Sequence, residues 1–156
     1  MILEEIADFA TALPSARPIV GLDLGTKTIG VALSDMLLSP ATPAEVIRRK
    51  KFSLDASQLL ELSTARNAGG LVLGLPFNMD GTEGPRCQST RAFARNLTTL
   101  TDLPITFWDE RLSTVAAERA LIEADLTRKR RSEVIDSVAA AYILQGALDR
   151  ISRLRA

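Results

Sequence analysis

The chain has 156 residues, 46% apolar and 24% charged, with one Cys, no His and a formal net charge of zero. That composition is ordinary for a globular protein and the length suits one domain over 1–156, with residues 1–16 as a helical extension. It excludes repeat and low-complexity architectures, and no apolar run approaches the roughly 18 residues of a membrane span.

The elements follow in chain order. Ile2, Ile6, Phe9 and Leu13 recur at helical spacing, so residues 2–13 predict a short helix stopped near Pro14. Arg17–Leu24 reads as a strand, Gly25–Thr28 as a tight turn and Ile29–Ser34 as the returning strand of a hairpin. A third strand is expected around Glu45-Val46-Ile47. Leu54–Asn67 is helical, ended by Gly69-Gly70. Leu71–Leu75 is a continuous apolar run, as expected of a strand covered on both faces. Pro76–Pro85 is a loop, Arg86–Leu100 a helix, Pro104–Asp109 a strand and Ser113–Glu123 a helix. Residues 124–131 read as a polar basic loop, and Ser132 as the cap of a last helix running to about Arg153. Antiparallel strands followed by β-α alternation predict an α/β fold: a mixed five-stranded sheet, three strands antiparallel and then two parallel, with helices on both faces.

The absences restrict the chemistry. Without His there is no imidazole base, no His-based triad and no His-liganded zinc. The lone Cys87 excludes intrachain disulfides and multi-Cys metal sites and suits a reducing, cytoplasmic setting. The acidic N-terminus, Met1-Ile2-Leu3-Glu4-Glu5, is unlike a secretory signal. Catalysis therefore falls to carboxylates, hydroxyls, amines, guanidinium groups or an oxygen-liganded metal. Although 19 basic residues balance 19 acidic ones, the basic residues concentrate in Arg48-Arg49-Lys50-Lys51 and Arg128-Lys129-Arg130-Arg131. Such clusters can meet phosphates on a neutral protein, or can simply be solvated loops.

Carboxylates stand in unusual places. Asp23 ends an apolar strand, on the same face as Ile19 and Gly21. A charge there is costly unless paired or metal-bound, although a turn Asp bonding its own backbone is the simpler alternative. Asp109 and Glu110 end a later strand. Neighbours on a strand face opposite ways, so only one can join Asp23, and Arg111 can neutralise either. Asp136 lies one turn into a helix that is apolar nearly all round, where the helix dipole helps little and a metal would help more. Carboxylates without His or Cys suit Mg²⁺ or Mn²⁺, one or two ions, and such clusters activate water for phosphodiester hydrolysis.

Four sequence blocks resemble the YqgF/RuvX family. They are Asp23-Leu24-Gly25-Thr26-Lys27-Thr28-Ile29-Gly30, Gly74-Leu75-Pro76-Phe77-Asn78-Met79-Asp80-Gly81, Asp109-Glu110-Arg111-Leu112-Ser113-Thr114, and the basic stretch ahead of Asp136-Ser137-Val138-Ala139-Ala140. They appear in order over residues 17 to about 148. Members of that family are described as Holliday-junction resolvases or pre-16S rRNA nucleases with a ribonuclease-H-like fold. The resemblance implies an acidic triad of Asp23, Glu110 and Asp136, selecting Glu110 over Asp109, with these three as both metal ligands and catalytic residues. It also implies a nucleic-acid partner, precursor rRNA ahead of branched DNA, and association with ribosomal particles as a monomer or weak dimer, away from any membrane. Lys27, Arg111 and Arg128, Lys129, Arg130 and Arg131 would hold flanking phosphates, with Arg86, Arg91 and Arg95 extending the surface. The family often carries Arg in the hairpin turn where this chain has Lys27 and Thr28, so the bidentate fork is lost there.

Other readings fit the same residues. An actin-like or sugar-kinase-like ATPase also places Asp-x-Gly-Thr in a first hairpin, but needs a second such domain to enclose its nucleotide. A non-catalytic RNA- or ribosome-associated factor would use the same basic clusters without turnover. A resolvase needs two active sites and therefore a dimer.

Overall fold

A computed structural model describes residues 1–35, 40–112 and 128–155, and in the last stretch the side chains from residue 135 onward. The apolar stretch after Pro18 forms β1 (Ile19–Leu24), which turns back as β2 (Thr28–Ser34). β3 (Ala41–Arg48) lies antiparallel to β2. A helix, α2 (Phe52–Ala65), returns the chain to β4 (Gly70–Leu75), parallel to β1. After α3 (Pro85–Leu97), β5 (Ile105–Asp109) lies parallel to β4. The sheet order β3-β2-β1-β4-β5 is the mixed arrangement expected from the sequence. β1 leads to neighbours on one side and β4 to a neighbour on the other. The carboxyl ends of these two parallel strands therefore flank a topological switch point, where open α/β sheets hold their ligands.

Strand alternation builds two apolar layers. Val20, Leu22, Leu24, Leu71 and Leu73 pack against α2 and α3 through Leu59, Phe93 and Leu97. Ile19, Ala32 and Val72 face the other way, toward α1 (Ile6–Ala12) and the long last helix α4 (Arg128–Arg155). Side chains facing α4 are kept small so that its backbone comes close. A Cβ on Gly21 would stand 2.6 Å from Leu144 Cβ, and one on Gly146 of α4 would stand 2.7 Å from the Trp108 ring.

Two boundaries differ most from the sequence reading. The first helix is shorter at its start, because residues 1–3 lie along the open edge of β5. Ile2 bridges Ile105, Leu3 N–H donates to Ile105 O and Thr106 Oγ1 donates to Leu3 O. An outer strand leaves unpaired backbone groups, and this segment satisfies them. Helix α4 begins at Arg128 rather than at Ser132, so the tetrad 128–131 is helical backbone and not loop. Arg and Lys are good helix formers, and their propensity outweighs the loop appearance of a charge run. The expected helix 113–123 and the first residues of the expected loop 124–131 lie outside the described residues. Among the described residues, no helix is long and apolar enough to cross a membrane.

Candidate active site

Asp23 is 3% exposed near the end of β1, on the face covered by α4. In register it pairs with Gly30 of β2. On its other side β1 and β4 pair as Leu22 with Leu73, so Gly74 follows as the neighbouring β4 position. These two glycines make the room around Asp23. A Cβ on Gly30 would stand 1.9 Å from Asp136 O, so α4 rests its backbone directly on β2 at this point. A Cβ on Gly74 would stand 3.1 Å from Glu110 Cγ and 2.5 Å from Ile143 Cδ1. Asp136 and Glu110 thus approach the α4 face of the sheet on opposite sides of Asp23.

The neighbouring Asp109 is committed elsewhere. Arg111 Nη2 donates to its Oδ2 at 2.7 Å, and Arg111 N–H donates to its Oδ1 at 2.9 Å. Burial pushes the Asp109 carboxyl up, but the side-chain and backbone hydrogen bonds from Arg111 outweigh this and leave it below its ordinary value. The same pairing raises Arg111. Arg111 also stacks over Phe77, 5.1 Å from the ring centroid, and so ties the loop 76–84 to the end of β5. A phosphate at Arg111 would have to compete with Asp109. Because its pKa is lowered on folding, Asp109 stabilises the fold above the ordinary carboxylate range and loses that contribution as the pH falls through its lowered value. Thermal melts should show Asp109→Asn below wild type at pH 7 by no more than about 3 °C, the gap closing as the pH falls through the lowered value. An equal gap above and below that value would contradict this role.

Asp136 does not sit in a first helical turn. It lies about two turns into α4, beyond the useful reach of the helix dipole. One of its partners is Thr28, whose Oγ1 donates a hydrogen bond to Asp136 Oδ2. Thr28 opens β2 on the same face as Gly30, and the sequence reading assigned it no such part. The side-chain alternation from Gly30 back to Thr28 was the available signal.

The donor chemistry here is all oxygen: two carboxylates beside a third, with a hydroxyl next to one of them. That set fits a hard divalent cation, and the glycine-lined space fits close approach. Among the described residues, however, no three carboxylates already form one metal-sized group. The fit lies in donor type and backbone placement, with the Asp136 carboxylate turned toward Thr28.

Other sequence candidates divide clearly. Lys27 is exposed in the hairpin turn. The side chains of Arg128, Lys129, Arg130 and Arg131 lie outside the described residues. Arg91 is compensated by Glu83 at 2.6 Å and Glu4 at 2.7 Å, and covers the Phe107 ring, so it is a poor phosphate ligand. Cys87 is fully buried, and burial pushes its thiol up, away from the reactive thiolate. Trp108 packs on Gly146, and its buried Nε1 has no hydrogen-bond partner among the described residues. A cavity of about 570 Å³ opens near Arg17, Asn67 and Asp102 at the amino ends of β1, β4 and β5, the end of the strands opposite Asp23.

Known proteins resemble this chain in sequence and in fold. A family model described as "RuvX: Holliday junction resolvase" matches residues 17–150. A protein of Roseobacter denitrificans named "Putative pre-16S rRNA nuclease" is 72% identical over 158 residues, spanning 100% of this chain and 97% of its own. A protein of the same name from Ruegeria pomeroyi is 70% identical over 154 residues, spanning 99% and 100%. Among solved structures, T. thermophilus RuvC in complex with Holliday junction substrate matches with a TM-score of 0.55 at 13% identity, covering 87% of this chain and 96% of that one. The yeast mitochondrial Holliday junction resolvase Ydc2 matches with a TM-score of 0.55 at 12% identity, covering 96% and 85%. The structural matches establish a ribonuclease-H-like fold, and the sequence matches establish that the chain belongs to the RuvX family.

Proposed function

We propose that this protein is a metal-dependent endonuclease that hydrolyses phosphodiester bonds in a small-subunit rRNA precursor. The observation that carries the proposal is the placement of Glu110 and Asp136 on either side of Asp23, over Gly74 and Gly30, at the switch point of the sheet. The names of the relatives at 72% and 70% identity support RNA as the substrate. Asp23, Glu110 and Asp136 would hold one or two Mg²⁺ or Mn²⁺ ions. When bound, such an ion supplies Lewis acidity for the attacking water and stabilises charge on the phosphoryl oxygens.

The chain's own groups do the positioning. Gly30 and Gly74 keep side chains out of the space beside Asp23. Thr28 holds the Asp136 carboxylate at the rim of that space, and Asp109 takes up Arg111. The anchored loop 76–84 forms a wall along the end of β5. Lys27 and the tetrad 128–131 would meet flanking phosphates. The packing of α1 and α4 on one shared layer supports a single working unit.

The test is cleavage of a small-subunit rRNA precursor beside a four-way DNA junction, each with Mg²⁺, with Mn²⁺ and with EDTA. Metal-dependent cutting of the RNA alone is the expected result. The family description and the titles of the structural matches favour a second reading, a junction resolvase. That reading needs two active sites and so a dimer by light scattering. Metal-independent RNA binding with no cutting of either substrate would replace both readings with a non-catalytic ribosome-associated factor.

A further inference from the structure

A small cavity of about 70 Å³ opens where the β1–β2 turn meets the start of α3, walled by Gly25, Thr26, Arg49, Arg86, Ser89 and Thr90. Arg49 follows β3 and is held from three directions. Its N–H donates to Lys27 O at 2.9 Å, its Nη1 donates to Gly25 O at 2.7 Å, and its guanidinium stands 5.9 Å from the Phe93 ring centroid. Arg86 comes from the first turn of α3, and its Nη2 donates to Leu24 O at 3.2 Å.

Both guanidinium groups are thus anchored by backbone carbonyls, which fix their position without cancelling their charge. Among the described residues neither makes an ion pair, whereas Arg91 and Arg111 do. A guanidinium carries five N–H donors, so each keeps several free for an oxyanion. Ser89 adds a hydroxyl, and the amino-terminal end of α3 adds its positive dipole.

We infer that this cavity seats one backbone phosphate of the nucleic-acid strand, gripped by Arg49 and Arg86. Its walls begin at Leu24 and Gly25, directly after Asp23. Leu24 faces the α2–α3 layer and Asp23 faces α4, so the seat and the carboxylates lie on the two sides of one strand end. A strand laid across the carboxyl end of β1 touches both. The identity of the strand as substrate rests on the nuclease reading, but binding to the seat requires no metal.

The test measures binding of a single-stranded oligoribonucleotide from the rRNA precursor by fluorescence anisotropy in EDTA over a range of KCl concentrations. Wild type is compared with Arg86→Gln, Ser89→Glu and, as the same charge change elsewhere on α3, Arg91→Gln. Melting temperatures confirm that each variant is folded. Loss of one phosphate contact lowers the slope of log K against log salt by about 0.7 for a single strand. Arg86→Gln should show that decrease, and Ser89→Glu, which puts a carboxylate at the seat, should weaken binding by about tenfold or more. Arg91→Gln should leave the slope unchanged.

Wild-type slope and affinity in both Arg86→Gln and Ser89→Glu would overturn the inference, as would absence of RNA binding by wild type. Inorganic phosphate provides the second arm. If Arg86→Gln loses phosphate binding with the RNA slope intact, the cavity is a free-phosphate site and the inference falls. The two proposals fail separately. Altered slopes in a protein that never cleaves keep the seat and remove the nuclease, and unaltered slopes in a protein that cleaves do the reverse.

Discussion

Asp23→Asn is expected to leave a folded protein whose cleavage of the rRNA precursor is down by on the order of 10³-fold, equivalent to about 4 kcal/mol of barrier. Asn is isosteric with Asp and keeps one oxygen, so the strand and its neighbours need not move. The variant loses the anionic oxygen that would ligate a hard cation. Stability should change little, because removing a carboxylate that is only 3% exposed also removes the cost of keeping a charge out of water. A melting temperature within about 3 °C of wild type together with lost cleavage is the predicted pair of results. A folded Asp23→Asn protein that cleaves at the wild-type rate would remove Asp23 from the site.

Gly30→Ala should be far more damaging than its chemistry suggests. The new methyl carbon would fall 1.9 Å from Asp136 O and 2.2 Å from Asp136 C. Those are backbone atoms of a helix packed along its length on the sheet, so no flexible side-chain end can yield. The helix must lift or the hairpin must bend. Overpacking of a rigid site typically costs about 1–3 kcal/mol or more, which lowers Tm by about 10 °C at the upper end for a chain of this size. The same displacement carries Asp136 away from Asp23 and from Thr28. Stability by calorimetry and cleavage should therefore fall together, in contrast to Asp23→Asn, where cleavage alone falls. A Gly30→Ala protein with wild-type Tm and rate would show that α4 does not rest on β2 as described.

The contrast between these variants reflects what could be read in advance. Strand alternation placed Ile19, Gly21 and Asp23 on one face and Val20, Leu22 and Leu24 on the other, and the two apolar layers divide in that way. The same rule allowed only one of Asp109 and Glu110 to approach Asp23. It could not say which of them Arg111 would pair with, because the pairing with Asp109 involves a guanidinium stacked on Phe77 from a loop far away in sequence. Helix α4 was legible from its apolar positions, but its start was not. A run of Arg and Lys looks like loop when read for charge and like helix when read for propensity, and that ambiguity puts Asp136 one turn into the helix where the structure has it about two turns in. The Thr28–Asp136 hydrogen bond joins residues 108 apart, and the cavity of Arg49 and Arg86 joins the end of β3 to the start of α3. Local spacing identifies neither pairing, although strand alternation puts Thr28 on the face of Gly30. Arg86 and Arg91 look alike in the sequence, and only the fold shows Arg91 compensated by Glu4 and Glu83.

Asp23, Glu110 and Asp136 are proposed to act together as ligands of a divalent cation. Mn²⁺ titration followed by electron paramagnetic resonance reads that claim directly and does not depend on cleavage. Wild type should take up Mn²⁺ at a site that Mg²⁺ displaces, and Asp23→Asn, Glu110→Gln and Asp136→Asn should each lose it while remaining folded. Uptake unchanged in all three variants would contradict the shared metal site and the nuclease mechanism built on it.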